Sequence, residues 1–215
     1  MKPKELLENM DPLLPADFFS YRFSIPHAKD LENVSLKKME EIPSLSNLLD
    51  EVAFGSISLA WSEEGIAGKL TVKKPFEGAF FPEYAKGDSL EVFIDTRDHK
   101  KSSFASRFCH HFVFLAGEVN GIQAEEVTRF RSEDSHPLCS SSDLKVLCKA
   151  SGNSYELSFI IKESALHGYD PSQFPRIGFA YKINRVKGKP QHFPCSSTRF
   201  ELFEHPSLWS SITLS

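Results

Sequence analysis

Residues 56–72 read SISLAWSEEGIAGKLTV. Ile57, Leu59 and Trp61 fall on one side of an extended chain, with Ser56, Ser58 and Ala60 on the other. After Ser62-Glu63-Glu64-Gly65 the alternation resumes, setting Ile66, Gly68, Leu70 and Val72 against Ala67, Lys69, Thr71 and Lys73. Successive side chains of a strand point to opposite faces, so this period of two marks strands with one face buried. The short polar turn between the runs predicts that they pair as a hairpin.

The same period recurs downstream. Residues 89–96 place Leu90, Val92 and Ile94 inward and Glu91, Phe93 and Asp95 outward, and residues 110–115 form another run. Tyr155, Leu157, Phe159 and Ile161 alternate strictly, as do Ile177, Phe179, Tyr181 and Ile183. Residues 127–131 and 144–148 are weaker strand candidates joined by a polar loop over 132–142, and residues 199–203 are expected to close the series. Upstream the chain is irregular. Residues 13–23 mix prolines with Phe18, Phe19, Tyr21 and Phe23 and read as an edge strand, while 35–41 read as a helical turn or two. Roughly eight or more short strands with no helical periodicity predict an all-β fold. The expected architecture is an antiparallel β-sandwich, immunoglobulin-like or jelly-roll-like, over residues 54–215. An irregular N-terminal arm, residues 1–53, packs on it.

Composition fits a globular domain of this size: 215 residues, 40% hydrophobic and 25% charged, with 19 phenylalanines that suit strands and cores. The formal charge of −4 argues against a nucleic-acid partner, which calls for a basic surface. Neither the opening residues nor any later run is apolar enough for a signal peptide or a membrane span. The expectation is therefore no membrane partner and a cytoplasmic location, unless a separate secretion route handles the protein. Cys109, Cys139, Cys148 and Cys195 are irregularly spaced with no C-x-x-C, and read as reduced thiols.

Several pieces taken in order resemble a known family. They are Ala60-Trp61 with Gly65-Ile66, then GDSLEVFIDTRD at 87–98, then the strand opening His110-His111-Phe112. YELSFIIKESALHGYDP at 155–171, IGFAYKINR at 177–185 and a closing HPSLWSSITL with Pro206 and Trp209 complete the series. Together they look like the family 9 carbohydrate-binding modules and the wider group of DOMON-like sandwiches. Lys162 stands where the family usually has a proline. The resemblance implies a non-catalytic binding module that holds a terminal sugar between aromatic faces, with carboxylates and amides on its hydroxyls. Trp61 and Trp209 occupy positions that look structural in the family, so a tryptophan clamp does not transfer. No cofactor is expected, a structural calcium being the one that the resemblance allows.

The residues themselves offer two candidate binding features. The loop over 74–86, KPFEGAFFPEYAK, carries Phe76, Phe80, Phe81 and Tyr84, which read either as a stacking platform or as a cap on one end of the core. Glu91, Phe93 and Asp95 share one face of one strand, an arrangement suited to sugar hydroxyls and a sugar face. At ~3.3 Å per residue the two carboxylates stand about 13 Å apart, wider than the roughly 5–10 Å of a glycosidase pair. The other reading of this face is a salt bridge to Arg97 on a solvated surface. These eight residues form the expected ligand-binding set; no catalytic residue is expected.

Four further motifs carry less. Gly87-Asp88-Ser89-Leu90 matches an esterase signature, but Ser89 enters a strand and the chain has no D-x-x-H partner. In Cys109-His110-His111 the two histidines point to opposite faces and cannot share an ion, and no metal site is defined. Asp95, Asp98 and His99 lack the spacing of a calcium loop. KINRVKGK, 182–189, reads as a solvated hairpin. The function expected is saccharide binding through the aromatic loop and adjacent carboxylates. The alternative is a protein–protein interaction module on the same scaffold.

Overall fold

The computed structural model describes residues 22–100, 104–197 and 201–215. Its strands are β1 (Arg22–Ile25), β2 (Glu40–Glu41), β3 (Gly55–Ser62), β4 (Gly65–Val72), β5 (Ser89–Asp95), β6 (Cys109–Val119), β7 (Ile122–Glu126), β8 (Leu144–Ser151), β9 (Ser154–Lys162), β10 (Arg176–Asn184), β11 (Gln191–Phe193) and β12 (Ser210–Leu214). They form a seven-stranded sheet in the order β1-β12-β10-β5-β6-β7, with β11 also on β10, and a five-stranded sheet in the order β2-β3-β4-β9-β8. The fold is an all-β sandwich, antiparallel except where β1 runs parallel to β12.

The expected hairpin is β3–β4, with Ile57 opposite Leu70 and Ser62 opposite Gly65. Gly65 has φ +137°, and a Cβ there would sit 2.1 Å from the Ile161 carbonyl, so the turn requires glycine. The apolar parity of each run faces the same interior. Ile57, Leu59, Ile66, Leu70, Leu157 and Ile161 from one sheet meet Leu90, Val92, Phe112, Phe114, Phe179 and Ile212 from the other. Phe114 and Phe159 stack at 4.6 Å between the sheets. Gly68, opposite Phe159 in the ladder, leaves the space that this ring fills.

Part of each outer face is covered, which the alternation alone does not show. On the five-stranded sheet the outward Ala60 and Ala67 are small because Ala28 and Leu31 lie over them. On the seven-stranded sheet, outward Phe93, Cys109 and Ala180 are packed under Leu202 and Trp209. The expected helical turn is a 3₁₀ turn at Leu36–Lys38.

Two expected strands are corrected. The strand expected at 127–131 lies earlier, as β7, because Glu126 is buried by hydrogen bonds and breaks the apolar pattern there. The strand expected at 199–203 falls partly outside the described residues; Leu202–Glu204 is a 3₁₀ turn. The final strand is β12, whose inward positions include Ser210. Of the edge strand expected at 13–23, residues 13–21 lie outside the described residues, and β1 begins at Arg22.

Candidate functional site

Pairing of β6, β5 and β10 brings three outward rows together. Glu91 lies between Val113 and Lys182, and Phe93 between His111 and Ala180. Glu91 is 4% exposed, yet every oxygen is engaged. Its Oε2 meets His111 Nε2 at 2.9 Å, and its Oε1 accepts from Asn184 Nδ2 at 2.8 Å and pairs with Lys182 Nζ at 3.1 Å. Burial alone would raise the Glu91 pKa. The hydrogen bond and charge of His111, the Lys182 ammonium and the Asn184 amide outweigh it and hold the carboxyl down at about 2.

Aromatic rings wall this cluster. His111 stacks on Phe93 at 4.3 Å and under Phe203 at 5.8 Å, and Tyr84 meets its edge at 6.1 Å. Tyr84 is half-buried; that burial, with the Glu91 charge next, raises its phenol pKa. Lys182 keeps 19% of its side chain exposed, and it and Tyr84 connect the cluster to solvent.

The loop over 74–86 is hung from Asp88, whose Oδ2 accepts the backbone N–H of Glu77 at 2.6 Å and of Gly78 at 3.1 Å. Ser89 donates to the Tyr84 carbonyl and accepts from Asn184. The residues that matched an esterase signature therefore pin a loop to a strand.

The eight expected residues divide. Tyr84, Glu91 and Phe93 meet in one place. Phe76, 37% exposed, turns instead to Tyr155 and Gly117 and caps an end of the sandwich. Phe80, 45% exposed, packs on Gly87, and Phe81 is half-buried beside it. Asp95 accepts the N–H groups of Arg97 and His99 at the far end of β5. The alternative salt bridge to Arg97 does not form: its guanidinium lies over the rings of Phe174 at 3.5 Å and Phe108 at 4.9 Å. The face is covered and not solvated, so Arg97 finds rings where an open surface would have left it Glu91 or Asp95. His111 was weighed only as a metal ligand, and Lys182 and Asn184 were not singled out, although each lies on the outward parity of its run.

Asp95 and Asp98 do not fit a calcium. Asp95 is taken by backbone donors, and Asp98 by Lys100 at 2.7 Å and the Ser211 hydroxyl at 2.7 Å. His110 and His111 face opposite ways, as the alternation requires: His110 points inward, to Glu126 and His136. The four cysteines are unpaired thiols. A surface depression of about 940 Å³ lies on the five-stranded sheet among Val34, Met39, Lys69 and Lys145, away from this cluster. Its rim charges Glu32 and Lys145 neutralise each other. Among the described residues no helix is long and apolar enough to cross a membrane.

No protein-family model and no curated protein matches the sequence. Solved structures do share the fold. A family 9 carbohydrate-binding module from Caldicellulosiruptor kristjanssonii in complex with glucose aligns at TM-score 0.63 and 12% identity, over 91% of this chain and 96% of that one. The same organism's family 9 module in complex with cellotriose aligns at TM-score 0.59 and 12% identity, over 90% and 93%. The chain thus has the β-sandwich fold of the family 9 carbohydrate-binding modules.

Proposed function

We propose that the chain is a non-catalytic module that binds the end of a saccharide on the outer face of the seven-stranded sheet, where Glu91, Lys182 and Asn184 meet Tyr84. The observation that carries this reading is the Glu91 carboxylate, held ionised between an ammonium, an amide and an imidazole at the edge of an aromatic wall. Sugar hydroxyls both donate and accept, so a carboxylate flanked by two donors matches vicinal hydroxyls. An aromatic ring meets the C–H face of a pyranose. Tyr84 supplies the ring, with Phe80 and Phe81 on the same loop. The likeness in fold to modules complexed with glucose and cellotriose supports the same ligand class.

Asp95 stands at the other end of β5, so Glu91 and Asp95 do not form a hydrolytic pair. The test is thermal unfolding against glucose, cellobiose and cellotriose, for the native chain, Glu91→Gln and Tyr84→Ala. A ligand at a hundredfold excess over its Kd adds about 2.7 kcal/mol of stability. A shift with one sugar, lost in both variants, supports the reading. A flat panel, or a shift that neither variant changes, contradicts it and favours the protein-interaction module, for which the exposed Phe80 is the contact.

A further inference from the structure

At the opposite end of β6 from the turn into β7, a second polar cluster is sealed from solvent. His110 on β6, Glu126 at the end of β7 and His136 in the following loop are all buried, with one potential ligand atom from each lying within 4.8 Å of the others. His110 Nδ1 is 2.9 Å and His136 Nε2 2.8 Å from the same oxygen, Glu126 Oε1. The Thr128 hydroxyl donates to that oxygen as well, at 2.8 Å. Three groups therefore converge on one carboxylate oxygen, which offers two lone pairs.

The tautomers sharpen the conflict. His136 Nδ1 lies 2.6 Å from the Arg107 carbonyl, which can only accept, so Nδ1 carries the proton. In a neutral ring Nε2 then presents a lone pair to a carboxylate. A cation must lie between them, either a second proton or a metal ion. The surroundings match those of a metal ligand set. A ligating histidine characteristically donates its other N–H to a backbone carbonyl, as His136 does, and a ligating carboxylate is itself hydrogen-bonded. Glu126 Oε2 accepts the Cys139 N–H at 2.7 Å, and the Cys139 thiol interacts with the same carboxylate.

We propose that His110, Glu126 and His136 bind a divalent transition metal of the zinc class, and that the ion ties the 127–143 loop to the edge of the seven-stranded sheet. Two imidazoles and a carboxylate suit zinc, and oxygen-seeking calcium and magnesium are disfavoured. Ligand atoms about 2.0–2.1 Å from a tetrahedral ion stand about 3.3 Å apart. The cluster needs to open by about half an ångström to admit one. This site lies on the inward parity of β6 and does not depend on the saccharide reading.

The experiment is metal content and Co²⁺ spectroscopy of the full chain. The protein is stripped with chelator, exposed to Zn²⁺ or Co²⁺, and desalted. One equivalent of zinc per chain is expected, with tetrahedral d–d absorption in the Co²⁺ form. His136→Gln and Glu126→Gln are expected to lose at least nine-tenths of the retained metal, and the surface variant His27→Ala none. Less than a tenth of an equivalent on the native chain overturns the proposal and leaves a proton between His136 and Glu126. So does octahedral Co²⁺ absorption, or equal loss in His27→Ala. Because the native chain is decisive, a variant that fails to fold does not block the test.

Discussion

Glu91 on β5 and His111 on β6 face each other diagonally across one strand pair, with Oε2 and Nε2 2.9 Å apart. The contact joins the carboxylate cluster to the ring column of Phe93, His111 and Phe203. Polar and aromatic halves of the proposed site are thereby one unit: the sheet register fixes Glu91, Phe93 and His111, and Tyr84 and Phe203 are added from 3₁₀ turns outside the sheet.

The contact makes the fold acid-sensitive. The Glu91 pKa is about 2 in the native state, below the 4.5 of a free side chain. A depressed carboxyl contributes stability that is fully present above the unfolded pKa and is lost as pH falls through the folded one. A shift of this size corresponds to on the order of 3 kcal/mol. Thermal melts between pH 7 and pH 2.5 are expected to fall steeply below about pH 4.5, and less steeply in Glu91→Gln. Glu126, also held low by His110 and His136 against its burial, adds to the fall in both proteins.

Tyr84 and Phe76 occupy the same loop but have different surroundings, so their alanine variants are expected to separate. Tyr84→Ala weakens saccharide binding and leaves the melting temperature nearly unchanged. Phe76→Ala, which uncovers Tyr155 and Gly117, lowers stability by about 1–2 kcal/mol and leaves affinity unchanged. Calorimetric titration with denaturant melts on both variants checks this.

Asp88 holds the loop by two backbone donors, and a variant that orphans them costs about 1–3 kcal/mol. Asp88→Ala is expected to lower stability by that amount and to admit trypsin at Lys73 or Lys86 more readily than the native chain does. Limited trypsin digestion followed by mass spectrometry reads the site of cleavage.

At Gly68 a Cβ would stand 2.2 Å from the Phe159 ring, so Gly68→Ala forces a core ring out of place. Overpacking of this kind costs typically about 1–3 kcal/mol. Phe159→Leu in the same chain is expected to restore part of the loss, which a double-mutant cycle in urea measures.

Much of the fold was legible because its inward residues are apolar. β3, β4, β5, β9 and β10 each show a strict period of two, which fixes the residues that face the interior. β7, β11 and β12 were not legible, since Glu126, Gln191 and Ser210 sit at buried positions. Gln191 is buried because its side-chain amide bonds the backbone of Phe54 and Gly55, 137 and 136 residues away in sequence. No single-chain pattern reports that. The site was legible in part for the same reason. Glu91 announces itself as an outward carboxylate, but His111, Lys182 and Asn184 join it only through the pairing of β5 with β6 and β10. His136 lies in a polar loop with no period at all. The outward face read as solvated because nothing in β5 reveals that Leu202 and Trp209 cover it.

The central claim is the location of a saccharide site, and an amide chemical-shift titration of labelled protein with glucose and cellotriose tests it most directly. The account predicts saturable shifts confined to Tyr84, Glu91, His111, Lys182, Asn184 and their sheet neighbours. Shifts confined to the five-stranded sheet, or none with either sugar at high excess, would contradict it.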